Sequence, residues 1–137
     1  MRYIIVRAAM VVVLAPALFG GARLAAHHSF AAEFDGNKPI TVTGTVTKVE
    51  WTNPHVWVYL NVKDKATGQV TNWGFEMGPP HGLQARGWTR ELMKIGDEVI
   101  VTGSLAKNGS NRANARDVIL AKTGKTYGAA SSEEAGQ

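Results

Sequence analysis

The residues best suited to chemistry in this chain are its four histidines, because it has no cysteine. His27 and His28 are adjacent; His55 follows Pro54, and His81 follows Pro79-Pro80. A histidine at a free amino terminus offers a metal two nitrogens, its α-amine and its own imidazole. A third nitrogen from His55 or His81 completes a planar set suited to Cu(II). Met77 is available as a soft axial ligand, although its alternation with Phe75 equally suits a core position. Set against this, His27 and His28 also read as polar residues of a chain end, and His55 as a residue that hydrogen-bonds a turn.

A second constellation is aromatic and polar. Trp57 and Tyr59 alternate with Val56 and Val58, and Trp51 and Asn53 flank the turn before them. Farther on come Lys107, Asn111, Arg112, Asn114 and Arg116. Aromatic rings stack on bases or sugars, and basic residues hold anions. Trp51, Asn53, Trp57, Tyr59, Asn114 and Arg116 are therefore a candidate ligand-binding set. The alternative is that Trp57 and Tyr59 pack beneath residues 30–34, since Phe30 and Phe34 need an apolar surface. Glu50, Glu76 and Asp97 form no recognisable acid–base pair. No Ser-His-Asp pattern, phosphate loop or dinucleotide fingerprint is present, so the reading is non-enzymatic.

The elements that must position these residues follow from periodicity. Residues 1–26 read as a secretion signal: Arg2 and Arg7, an apolar run over residues 8–19, then small residues. That run falls short of the ~20 residues of a membrane-spanning helix. Cleavage after Ala26 starts the polar sequence at His27, whereas cleavage after Ala22 places Gly20 at the preferred small position. Removal of the signal takes Arg2, Arg7 and Arg23 away and lowers the formal charge from +4 to +1. A near-neutral domain lacks the basic field of a nucleic-acid binder. The expected location is the periplasm or the outside of the cell, with no stable membrane span after cleavage. Any partner is then a small ligand or another exported protein.

An extended segment over residues 27–38 leads into a β domain over residues 39–127. The first strand, residues 39–51, alternates Ile40, Val42 and Val46 with threonines. Gly44 interrupts its apolar face, as where a barrel strand bends. Strands follow over residues 55–62, 69–77, 98–106 and 115–122, and the Thr123-Gly124-Lys125 turn leaves room for a short strand near Tyr127. Gly103 repeats the role of Gly44, and Asn108-Gly109 marks a turn in a loop over residues 107–114. One helical turn is expected over residues 89–93, with Thr89 as its cap. The tail, residues 128–137, is small and polar and reads as disordered. Five strands with a short helix between the third and fourth give an all-β fold, an OB-fold-like Greek-key barrel. An open β-sandwich is the alternative.

The run HHSFAAEFD at residues 27–35 and the run GTVTKVEWTNPH at residues 44–55 resemble an uncharacterised family of small exported bacterial proteins, as do GWTR at residues 87–90 and ANAR at residues 113–116. The chain is also similar to small periplasmic OB-fold proteins linked to stress tolerance. These resemblances imply export and fold type and carry over no catalytic residue. Three functions compete. One is an exported binding or accessory module, in its sharpest form binding Cu(II) through His27 and His28 with His55 or His81. The second is an oligonucleotide- or small-anion-binding OB domain using the aromatic face. The third is a metal-dependent enzyme.

Overall fold

A computed structural model of the chain describes residues 30–131. Residues 1–29, which include the stretch expected to be a secretion signal and His27 and His28, and residues 132–137 lie outside the described residues. The element order is α1 (Phe30–Glu33), β1 (Phe34–Glu50), β2 (Trp57–Lys63), β3 (Val70–Glu76), α2 (Pro80–Ala85), β4 (Glu98–Ala106), β5 (Arg112–Leu120) and β6 (Lys125–Gly128).

Period-two alternation decides the inside of the β structure. Val56, Val58 and Leu60 from β2 and its lead-in are fully buried, as are Phe75, Val99, Val101 and Val118. They join Met77, Leu83 and Trp88 in one hydrophobic core. The sheet order is β3-β2-β1-β4-β5-β6, with an additional pairing between β3 and β5. That pairing is parallel and short: Gly74, Phe75 and Glu76 face Arg112, Ala113 and Asn114. The pairings of the first five strands therefore run in a ring, and β6 extends the sheet beside the later part of β5.

Two glycines make the curl possible. β1 pairs with β4 through Thr45 and with β2 from Thr45 onward, so one long strand serves both neighbours. A side chain at Gly44 would stand 2.8 Å from the Asn61 carbonyl oxygen. One at Gly103 would stand 1.9 Å from the carbonyl oxygen of Asn114. The register also shifts between Thr102 and Gly103, a bulge that tightens the bend.

Several expected boundaries move. The segment before residue 39 is not simply extended, since Phe30–Glu33 is helical and β1 begins at Phe34. The helical turn expected over residues 89–93 is only a turn, closed by Leu92 N–H donating to the Thr89 carbonyl at 3.2 Å. The helix lies earlier, with Pro79 at its N-cap and Pro80 in the first turn. Proline is favoured there because the first N–H groups of a helix have no partner in any case. β5 begins at Arg112, so residues 112–114 belong to a strand and not to the preceding loop. A sixth strand is present, and the ordered domain runs past residue 128. Ala129, Ala130 and Ser131 are buried, and Ala129 N–H donates to the Arg116 carbonyl at 2.7 Å. Among the described residues, no helix is long and apolar enough to cross a membrane.

Candidate functional site

Strand register assembles the site. β2 and β3 pair Trp57 with Glu76, Tyr59 with Gly74 and Asn61 with Asn72. β5 places Arg112 beside Gly74 and Asn114 beside Glu76. Because Val58, Phe75 and Ala113 turn into the core, the residues alternating with them share the outer face. Gly74 leaves space on that face, where a side chain would come within 3.2 Å of the Tyr59 ring.

One end of the face is a completed network. Tyr59 Oη donates to Glu50 Oε2 at 3.0 Å, and Lys48 forms an ion pair with Glu50. Thr47 Oγ1 donates to the Tyr59 carbonyl, and Asn72 Nδ2 donates to both Asn61 Oδ1 and Thr47 Oγ1. The hydrogen bond from Lys48, then that from Tyr59, holds the Glu50 carboxyl below its usual range. Burial, then the bond to Glu50, pushes the Tyr59 phenol up.

The other end is built differently. His55 Nδ1 lies 2.5 Å from Glu76 Oε1, and the two side chains are 22% and 11% exposed. An imidazole that gives its Nδ1–H to a carboxylate has its tautomer and ring orientation fixed by that bond. The Arg112 guanidinium stands 5.4 Å from the centre of the Trp57 ring, which in turn stacks on Tyr59. Asn114 is 1% exposed, and its Oδ1 is buried without a hydrogen-bond partner. A buried acceptor left in that state costs about 1–3 kcal/mol.

This end opens into two adjoining cavities of about 320 and 300 Å³ that share Glu33, Trp57 and Arg112 as walls. Thr52, Asn53, Pro54, His55 and Glu76 complete the first; Lys107 and Asn108 help to line the second. α1 forms the outer wall and is tied down by Lys107, whose N–H donates to the Glu33 carbonyl and whose Nζ donates to that of Ala31. Phe30 and Phe34 are buried with their rings 5.8 Å apart. Thus residues 32–34 help to wall a cavity against Trp57, while Tyr59 is engaged by Glu50 instead.

The structure brings together Asn53, His55 and Trp57; Asn114, on β5 beyond β3, is buried beside Glu76 and lines neither cavity. It does not bring the other sequence candidates to this place. His81 is exposed in the first turn of α2 and lines neither cavity. Met77 is fully buried in the core and is no axial ligand. Trp51 packs partly against the core with Arg90 5.9 Å from its ring. Arg116 lines a separate cavity of about 620 Å³ with Phe30, Phe34 and Asp35. Among the described residues, no group of three or more histidines and carboxylates is arranged to hold a metal ion.

Sequence reasoning missed Glu33 and the role of Glu76. Counting outward from a hairpin loop over residues 64–69 pairs Trp57 with Glu76, which was the available signal.

No curated protein matches the chain. Among solved structures, the mitochondrial single-stranded DNA-binding protein Rim1 of S. cerevisiae is similar at 12% identity with a TM-score of 0.49, covering 61% of this chain and 93% of that one. A family of unknown function, DUF6152, matches residues 17–115, and the chain belongs to that family.

Proposed function

We propose that this chain is an exported binding module, not an enzyme, whose ligand sits in the groove between Trp57, Arg112 and α1. The strand ring follows the order of the OB-fold, in which the second and third strands and the loops after the first and fourth form the usual ligand surface. One observation carries the reading. The two adjoining cavities are lined by β2 and β3 residues Trp57 and Glu76, by Asn53 and His55 after β1, and by Lys107 and Asn108 after β4. The mixed charge of these walls and the +1 charge of the processed chain favour a small molecule over a nucleic acid. The test is a titration of the 15N-labelled chain beginning at His27 with a fragment library of amines, acids and sugars. Shifts clustered on Trp57, Glu76 and Arg112 are expected. Hits confined to another surface, or no hits, overturn the reading.

A second reading is that the ligand is Cu(II), bound by the His27 α-amine and imidazole with His55. It is favoured by the His55–Glu76 contact, because a carboxylate on one ring nitrogen orients the other for a metal. Glu33, six residues after His27, lines the same cavity as His55. The chain beginning at His27 should take up one Cu(II), and its electron paramagnetic resonance spectrum should lose a nitrogen coupling in His55→Ala. Retaining Ala26 should abolish the tight site; equal uptake with and without Ala26 overturns the idea.

A further inference from the structure

The Asn108-Gly109 turn does more than reverse the chain: it carries the parts of a self-modifying site. Nowhere else in the sequence is an asparagine followed by glycine. Glycine leaves its peptide nitrogen open to approach, because no Cβ shields it. Asn108 and Gly109 are both exposed, in the loop between β4 and β5. Gly109 has φ +75°, and nothing stands within 4 Å of where its side chain would be. Its N–H is held by a long bond of 3.5 Å to the Ala106 carbonyl.

The carboxamide of Asn108, by contrast, is fixed. Ser110 N–H donates to its Oδ1 at 3.0 Å, and Ser110 Oγ donates to the same atom at 2.7 Å. The first of these bonds is an Asx turn, which folds the side chain back over the Asn108–Gly109 peptide. The ring it closes includes both Asn108 Cγ and Gly109 N. Attack of that nitrogen on Cγ would move negative charge onto Oδ1, where two donors already point. That is the arrangement of an oxyanion hole, built within three residues.

We infer that Asn108 is a site of self-catalysed deamidation, promoted by the folded turn and independent of what the groove binds. Gly109 N gives up its proton to a solvent base and bonds to Asn108 Cγ. The Cγ–Nδ2 bond breaks, and Nδ2 leaves as ammonia with a proton returned from solvent. The product is a cyclic imide. Water then opens it at either carbonyl. Opening at Cγ yields aspartate; opening at the Asn108 backbone carbonyl yields isoaspartate, with the main chain rerouted through the side chain. Either product adds a carboxylate to the cavity wall that Asn108 shares with Lys107 and Arg112.

The test incubates the chain beginning at His27 in mildly alkaline 18O-labelled water, either folded or unfolded in guanidinium chloride, and follows its tryptic peptides by mass spectrometry. The peptide over residues 108–112 should take up one 18O atom and split into two chromatographic products, with fragment ions placing the change at Asn108 and not Asn111. Asn108→Asp supplies the standard for the aspartate product. Conversion should be faster in the folded chain than in the unfolded one. Ser110→Ala should keep the parent's dispersed amide spectrum and leave the unfolded rate unchanged. It should slow the folded chain roughly tenfold, less than the loss at a buried oxyanion donor because this turn is exposed. An Asn108 that stays intact in the folded chain overturns the inference. So do equal rates in the folded and unfolded chains, or a Ser110→Ala rate equal to the parent's, since either leaves the dipeptide alone as the cause.

Discussion

The two ends of the outer β2–β3 face use similar residues to opposite effect. Around Tyr59 every polar side chain meets a protein partner: the phenol meets Glu50, Glu50 meets Lys48, and Asn72 meets Asn61 and Thr47. Around Trp57 the arginine stacks on a ring without spending its donors, and the Asn114 oxygen is buried without one. A satisfied network contributes to one conformation and leaves nothing to offer a ligand. A buried acceptor left without a donor, as at Asn114, destabilises the folded protein instead.

The largest test of this contrast is Gly103→Ala. Its new methyl group would stand 1.9 Å from the Asn114 carbonyl oxygen, a backbone atom that can yield only by parting β4 from β5. A loss of about 3 kcal/mol or more is expected in urea unfolding. If the variant folds, shifts in its amide spectrum should concentrate on residues 112–116 and spare Tyr59. Wild-type stability would mean that the approach is not as close as described.

Asn114→Leu tests the open end from the other direction. Replacing an unsatisfied buried amide with an apolar group of similar volume should raise stability by about 1 kcal/mol. Destabilisation by the same amount would show that the amide already has a partner in solution. At the closed end the sign reverses. Tyr59→Phe removes the phenol that Glu50 accepts and should cost about 0.5–1 kcal/mol, read by the same urea titration.

The smallest effect is in acid. The Glu50 carboxyl is held low by Lys48 and then by Tyr59, so its folded value lies below its unfolded value. The stability it contributes is present above the ordinary glutamate range, ~4.3, and is lost as pH falls through the depressed folded value. Asp97, held low first by Lys122, and Asp64, held low first by the Thr67 N–H, add slopes of the same sign. The readout is therefore a difference: the urea midpoint should fall less between pH 5 and pH 3, roughly the carboxylate titration range, in Tyr59→Phe than in the parent. Parallel curves would remove Tyr59 from the account.

How much of this was legible in the sequence follows from the range of the interactions. β4 was readable to the residue because alternation and its flanking turns are local. The inward face of β2 was readable for the same reason, and so were Gly44 and Gly103 as bends. The start of β5 was not, because Arg112, Ala113 and Asn114 have the composition of a loop and become a strand only through pairing with β3. Pro79-Pro80 signalled the end of a strand and hid its second role as a helix start. His55 and Glu76 are remote in sequence and meet through the hairpin register, which carried the signal without the contact. His55, Trp57 and Asn114 were singled out by residue type, but the partners that give them meaning needed tertiary structure.

The carboxy-terminal end of the domain has a consequence for how the chain is made. Gly78, at the exit of β3, gives its N–H to the Ala129 carbonyl, and a side chain there would strike the Ala130 carbonyl oxygen at 2.8 Å. A contact joining Gly78 to Ala129 cannot form until residue 129 has been made and has reached the rest of the domain. A nascent chain therefore carries its β structure for some fifty residues, from Gly78 to Ala129, before this closure is possible.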